Sequence, residues 1–285
     1  MRDRHAQITR VLIGLLVANL AVVGAKFVIG LNTRSLAVLG DGVHSAVDAM
    51  NNVLALILMM IASKEPDEDH PYGHSKFETL GALGIVVFLS ISGFELVKGA
   101  VHRLIAGAAP LEITPLQLGV LFGTLGVNTV VAVYESRRGH ELGSQLLLAD
   151  ATHTKADIVI TTGVLAGVVL SRAGFGFADP TVALMVAGVI VWLAVGIIRR
   201  AVPMLVDEHA APAPVIRAAV ESVKGVHRAY HIRSRGSPEQ LFVELTIAVD
   251  RDATVEDAHD IADVVERRLR DQLHFTQTVV HVEPC

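Results

Sequence analysis

Two stretches of this chain carry one pattern. Residues 41–48 read D-G-V-H-S-A-V-D and residues 150–157 read D-A-T-H-T-K-A-D, both D-x-x-H-x-x-x-D, and both lie inside long apolar runs. At about 3.6 residues per helical turn, positions i, i+3 and i+7 share one face. Asp41, His44 and Asp48 therefore share a face of one helix, and Asp150, His153 and Asp157 a face of another. Ionisable groups inside apolar helices are costly, so they face a bundle interior and mark an ion or proton path. Two such helices facing each other offer His44, Asp48, His153 and Asp157 as four nitrogen and oxygen ligands to one divalent cation. A satisfied core residue is the competing reading of any one of these groups, and the repetition of the motif argues against it.

A chain of 285 residues that is 52% hydrophobic, with mean hydropathy +0.51, is not an ordinary soluble domain. The apolar character is high to about residue 205 and ordinary afterwards, which predicts a membrane domain over 1–206 and a soluble domain over 207–285. The single cysteine, Cys285, excludes an intrachain disulfide framework and a thiolate-rich metal site. A net charge of −5 offers no basic footprint for nucleic acid. Arg2, Arg4 and Arg10 precede the first apolar segment without a small-residue cleavage site, so a retained first helix is expected.

Crossing a ~30 Å hydrocarbon core takes roughly 20 helical residues. Six segments reach that length, near 8–30, 36–62, 78–105, 115–136, 144–171 and 178–202. With the N-terminus inside, the cytoplasmic ends hold Arg2, Arg4, Arg10, Lys64, Lys76, Arg137, Arg138, Arg199 and Arg200, against Arg34, Arg103 and Arg172 outside. This positive-inside asymmetry puts both termini in the cytoplasm. Asp48 then lies ~18 Å, and Asp157 ~20 Å, below the outer ends of their helices at ~1.5 Å per residue. Both are near the midplane, where transporter sites lie. Asp41 falls on the outer side and Asp150 on the cytoplasmic side, as vestibule groups or as acceptors for imidazole N–H; helix-packing hydrogen bonds are the alternative. Lys26, Glu95 and Lys98 fall near outer helix ends, where snorkelling or pairing is expected, and Lys155 points away from the His153 face. Gly81 with Gly84, and Gly163 with Gly167, predict close helix packing.

Between the second and third spans, Asp67, His70 and His74 have spacing that could close on a second divalent cation, with Glu65, Glu68 and Asp69 concentrating cations nearby. A solvated loop with a Pro-Tyr-Gly turn is the alternative. After Val206 the pattern predicts a helix at 212–224, strands at 226–236 and 239–250, an amphipathic helix at 254–270 capped by Thr254 and Asp257, and a last strand at 275–283. A turn is signalled at Arg235-Gly236-Ser237-Pro238. The α-β-β-α-β order is an open α+β sandwich with helices on one face of a small sheet. It carries His227, His231, His259, His274, His281 and Glu283, a set that permits regulatory metal binding.

These residues resemble the cation diffusion facilitators over essentially the whole chain. The resemblance is carried by six spans, S-L-A-V-L-G-D-G-V-H-S-A-V-D at 35–48, D-x-x-H-P-Y-G-H-S-K-F-E at 67–78, D-A-T-H-T-K-A-D at 150–157 and V-V-H-V-E-P at 279–284. It implies a Y-shaped homodimer of divalent-metal/proton antiporters, not an enzyme, in a prokaryotic inner membrane. Each protomer would be a six-helix all-α transmembrane domain with a ferredoxin-like (αββαβ) cytoplasmic domain. Carried over to this chain, the transport site is His44, Asp48, His153 and Asp157, and the loop site Asp67, His70 and His74. A carboxyl-terminal regulatory site maps to His259 and His281, with Glu283 and His231. Thr246 departs from the His that many members carry there, so a full binuclear site does not carry over. The family also implies an interlock between Lys76 and Asp207 at the dimer's hinge.

Two imidazoles and two carboxylates without thiolates suit tetrahedral Zn²⁺, ahead of Cd²⁺, Co²⁺, Ni²⁺, Fe²⁺ and Mn²⁺. Because metal binds deprotonated ligands, binding expels protons and protons expel metal, which makes protons the expected counter-ion. An intramembrane metallohydrolase would carry an H-E-x-x-H helix, and none is present. A non-transporting metal sensor or scaffold has the same ligands and stays open.

Overall fold

The computed structural model describes residues 2–106, 114–173, 175, 177–237 and 240–285; the side chains of Arg2, Leu36, Ala37, His44, Val168, Ser171 and Arg172 lie outside the description. The chain divides into two compact units, Met1–Ala201 and Val202–Cys285.

The first unit is built from α1 (Arg2–Thr33), α2 (Leu36–Ala62), α3 (Lys76–Ala106), α4 (Pro115–Glu141), α5 (Gln145–Arg172) and α6 (Ala178–Leu205). Among the described residues, α1, α2, α3, α4 and α6 are long and apolar enough to cross a membrane. The sixth, α5, is as long at 28 residues, but its apolar run is interrupted by Asp150, Lys155 and Asp157.

Tight turns join α1 to α2 and α4 to α5, and the two turns are built alike. Ser35 donates its N–H to the Gly30 carbonyl, and Ser144 donates to that of Gly139. A Cβ on Gly30 would meet Leu39 Cδ2 at 2.8 Å, and one on Gly139 would meet Leu148 Cδ2 at 2.9 Å. Only glycine lets these backbones close so tightly. Each residue of the second hairpin is 109 positions after its counterpart, the same offset as Asp150 from Asp41. The motif is thus one part of a repeated helical hairpin. Arg4, at the start of α1, donates to the carbonyls of Leu142 and Gly143 and pairs with Glu78 at the start of α3. The α4–α5 turn therefore lies at the end of the bundle where α1 begins, opposite the α1–α2 turn. The two hairpins are inverted relative to each other.

The expected glycine contacts are present. Gly81 faces Leu146 and Leu58, Gly163 faces Val186, and Gly167 faces Asp179, so α3 and α6 approach α5 closely. The core of this unit gathers Leu12, Met59, Ile85, Leu89, Leu146 and Ile190.

The second unit contains α7 (Ala213–Glu221), β1 (Arg228–Ser237), β2 (Gln240–Val249), α8 (Val255–Leu273) and β3 (Gln277–Pro284). The sheet order is β1-β2-β3, with β1–β2 antiparallel and β2–β3 parallel. Ile216 and Val220 of α7 and Val265 and Leu269 of α8 cover Val243, Leu245, Ile247 and Val249 of β2. Thr254 caps α8 and accepts from the Asp257 N–H, while Asp257 accepts from the Thr254 N–H, as the sequence predicts. Of the signalled turn, Arg235, Gly236 and Ser237 belong to β1, and Pro238 lies outside the described residues. At His231, where φ is +51°, β1 bulges between Tyr230 and Arg233.

Candidate metal centre

The two motifs meet. His153 Nε2 of α5 lies 3.5 Å from Asp48 Oδ1 of α2 and 3.9 Å from Asp157 Oδ2, one turn along its own helix. Ligand atoms of the three residues fall within 4.8 Å of one another. The His153 side chain is 6% exposed, and neither ring nitrogen has a hydrogen-bond partner among the described residues. A buried imidazole without hydrogen bonds is costly unless something fills its place. Flanked by two carboxylates, its lone pair suits a divalent cation. His44, the fourth expected ligand, sits one turn before Asp48 in α2, and its side chain lies outside the described residues.

A cavity of about 220 Å³ opens on these groups. Its walls repeat the hairpin symmetry. Asn19 and Asn128, Asp41 and Asp150, Asp48 and Asp157, and Asn52 and Thr161 all line it, each pair separated by 109 positions. Asp41 and Asp150 thus both line the cavity. Asp150 is 2% exposed, and its Oδ1 accepts from Asn51 Nδ2 at 3.3 Å, with no hydrogen bond to His153 among the described residues. Asp41 pairs with Lys26 Nζ at 2.8 Å, and Lys26 also donates to Ser45 Oγ at 2.8 Å. Of the two outcomes expected for Lys26, pairing is the one present. Lys26 is 4% exposed and faces the cavity. Lys155 is exposed, as expected, and donates to Ser136.

Sequence reasoning missed Glu135. It stands in α4 at the position equivalent to Lys26, is 1% exposed, and accepts from Thr154 Oγ at 3.0 Å. Thr154 is the counterpart of Ser45. The 109-residue offset, extended beyond the motif, identifies both.

In the α2–α3 loop, Asp67, His70 and His74 also converge. Asp67 Oδ1 is 3.1 Å from His70 Nδ1, and Asp67 Oδ2 is 3.3 Å from His74 Nε2. The imidazole centroids are 4.3 Å apart, and the buried His74 Nδ1 has no hydrogen-bond partner among the described residues. The His70 backbone N–H donates to Asp67 and, with the nearby imidazoles, holds its carboxyl below the usual carboxylate range. In the second unit, His281 Nε2 is 3.5 Å from Glu283 Oε1, and Tyr230 donates its hydroxyl to Glu283. His259 instead faces Asp263 at 3.8 Å. Among the described residues, His231, His259, His281 and Glu283 form no three-ligand group within this protomer. Asp207 pairs with Arg235 at 3.7 Å, within its own unit.

Residues 12–206 match the family model for the cation efflux transmembrane domain, and residues 213–285 match that for the cation efflux protein cytoplasmic domain. An uncharacterized transporter of Methanocaldococcus jannaschii is 31% identical, over 97% of this chain and 98% of its own. The manganese efflux system protein MneP of Bacillus subtilis is 27% identical, over 100% and 99%. Among solved structures, the copper form of the MamM CTD is 29% identical over 25% of this chain and 71% of its own, with a TM-score of 0.24.

Proposed function

This chain belongs to the cation efflux family of multi-pass membrane metal transporters, and on that premise we propose that it exports Zn²⁺ from the cytoplasm in exchange for protons. The observation that carries the proposal is His153: buried, without a hydrogen bond at either ring nitrogen among the described residues, and flanked by the carboxylates of Asp48 and Asp157. Asp48, His153, Asp157 and His44 are the transport ligands. A cation entering from the cytoplasmic side displaces the protons these groups hold, and outside acid returns the protons and drives the cation off. The hairpins rock around this centre while it stays at mid-depth. The donor set favours Zn²⁺, because two imidazoles suit it better than they suit Mg²⁺, Ca²⁺ or Mn²⁺.

The chain acts as a homodimer with both termini in the cytoplasm. Asp67, His70 and His74 bind a second cation on that side. Lys76 and Asp207 interlock the protomers, and His231, His259, His281 and Glu283 contribute to regulatory binding once two cytoplasmic domains meet.

Manganese is the second reading, favoured by the name of the Bacillus subtilis relative. Proteoliposomes with an acidic lumen, offered Zn²⁺, Mn²⁺, Cd²⁺, Fe²⁺, Co²⁺ and Ni²⁺ in turn, test both. Uptake of Zn²⁺ ahead of the others, dependent on the gradient and on Asp157, supports the proposal. Preferential Mn²⁺ uptake replaces it with the second reading, and binding without gradient-driven uptake makes the protein a sensor or scaffold.

A further inference from the structure

The two hairpins are alike in sequence offset, in turn geometry and in several equivalent cavity-lining residues, and they carry opposite charges at one equivalent position. There α1 carries Lys26, which lines the cavity, and α4 carries Glu135, which is buried behind Thr154. Each bonds the equivalent hydroxyl, Ser45 in one hairpin and Thr154 in the other. Only Lys26 also engages its hairpin's motif aspartate, holding Asp41 at 2.8 Å. Asp150, the counterpart of Asp41, has Asn51 as its hydrogen-bond partner and forms no ion pair among the described residues. The path therefore has a neutralised carboxylate toward the α1–α2 turn and a carboxylate without a basic partner toward the α4–α5 turn.

We propose that Lys26 is a release residue: its ammonium occupies Asp41 so that this carboxylate does not hold the departing cation. Asp41 and Asp48 are seven residues apart, about 10 Å along α2. A divalent ion leaving Asp48 toward the α1–α2 turn passes Asp41 on the cavity wall. A free carboxylate there would trap it. With the ammonium in place the ion meets a neutral pair and continues, while Asp150 at the other end still draws cations in. The asymmetry gives two otherwise equivalent half-paths an entry and an exit. This inference rests on the transport reading above, including a cytoplasmic N-terminus.

The test is trans-inhibition of Zn²⁺ uptake by Zn²⁺ preloaded in the proteoliposome lumen, which corresponds to the outer side. Lys26→Met exposes Asp41, so luminal Zn²⁺ inhibits at a concentration roughly tenfold lower than for the wild type, the order expected when one unit charge is uncovered beside a divalent ion's path. Lys26→Arg keeps the wild-type constant, and Lys26→Met with Asp41→Asn restores it. Asp41→Asn alone leaves the ammonium unneutralised and weakens luminal inhibition, which keeps the test available if Lys26→Met does not fold. A Lys26→Met protein with a lower melting temperature and an unchanged inhibition constant overturns the proposal, because Lys26 then only ties α1 to α2. A wild type without gradient-driven uptake defeats the transport reading instead. In that case equilibrium Zn²⁺ binding decides: tighter binding by Lys26→Met, cancelled by Asp41→Asn, upholds the role of Lys26, and unchanged binding overturns it.

Discussion

His153 of α5 places its Nε2 3.5 Å from the Asp48 carboxylate of α2, joining two motifs 109 residues apart in sequence. The contact crosses from one helical hairpin to its inverted counterpart. A cation seated there is held by both hairpins at once, so any rocking of one against the other changes its ligand geometry.

Replacing Asp48 or Asp157 with alanine removes one of the carboxylates flanking His153. Losing one ligand of a small set should lower metal affinity at this centre by roughly 100-fold or more, and transport should fall to background. Neither residue is part of the apolar core, so the fold and the proposed dimer should persist. Size-exclusion chromatography alongside uptake separates the two effects.

The turns at Gly30 and Gly139 have no room for a side chain. Gly139→Ala would place a methyl 2.9 Å from Leu148 Cδ2 and 3.2 Å from the Leu148 backbone nitrogen. Overpacking of this kind costs about 1–3 kcal/mol. Thermal melts of the detergent-solubilised protein should show the loss, and Gly30→Ala should match it because its surroundings are the same. Gly14→Ala, with nothing within 4 Å of the added carbon, should leave stability unchanged or raise it.

Thr154 donates the hydrogen bond that Glu135 accepts in the buried α4–α5 contact. Thr154→Val keeps the shape and removes the donor, leaving a buried acceptor short of a partner at a cost of about 1–3 kcal/mol. Thr154→Ser retains the hydroxyl and should keep most of the stability. A melt in which valine and serine behave alike would assign Thr154 to packing only.

In the α2–α3 loop, the lowered value of Asp67 fixes the sign of a pH effect. A carboxyl held below the usual range when folded contributes stability above that range, and the contribution is lost as pH falls through the lowered value. The melting temperature of Asp67→Asn should therefore lie below that of the wild type at neutral pH, and the gap should close in strong acid. A constant gap across that range would mean the loop draws nothing from the Asp67 charge.

Much of this arrangement is legible in the chain. Helical periodicity places Asp48, His153 and Asp157 on shared faces, and their scarcity in apolar surroundings marks them as a site. Alternation and capping residues define the second unit, down to the Thr254–Asp257 pair. Periodicity does not say which neighbour a side chain will meet. Lys26 reads as a residue that snorkels or pairs near a helix end, and the close α1–α2 packing decides for pairing, inward onto Asp41. Glu135 falls at the end of the expected 115–136 span and draws no reading there, but α4 continues to Glu141 and Glu135 is buried. Both were within reach through the repeat, since Lys26 with Ser45 and Glu135 with Thr154 keep the same 109-residue offset as the motif itself.

The central claim is that one site exchanges metal for protons. Luminal pH and luminal Zn²⁺ should be recorded together, with two dyes in the same proteoliposomes, for the wild type and for Asp157→Asn. Zn²⁺ entry matched in time by loss of luminal acid in the wild type, with both signals absent from Asp157→Asn, is the predicted result. Zn²⁺-driven proton flux that persists in Asp157→Asn, or Zn²⁺ entry without any proton movement in the wild type, would contradict it.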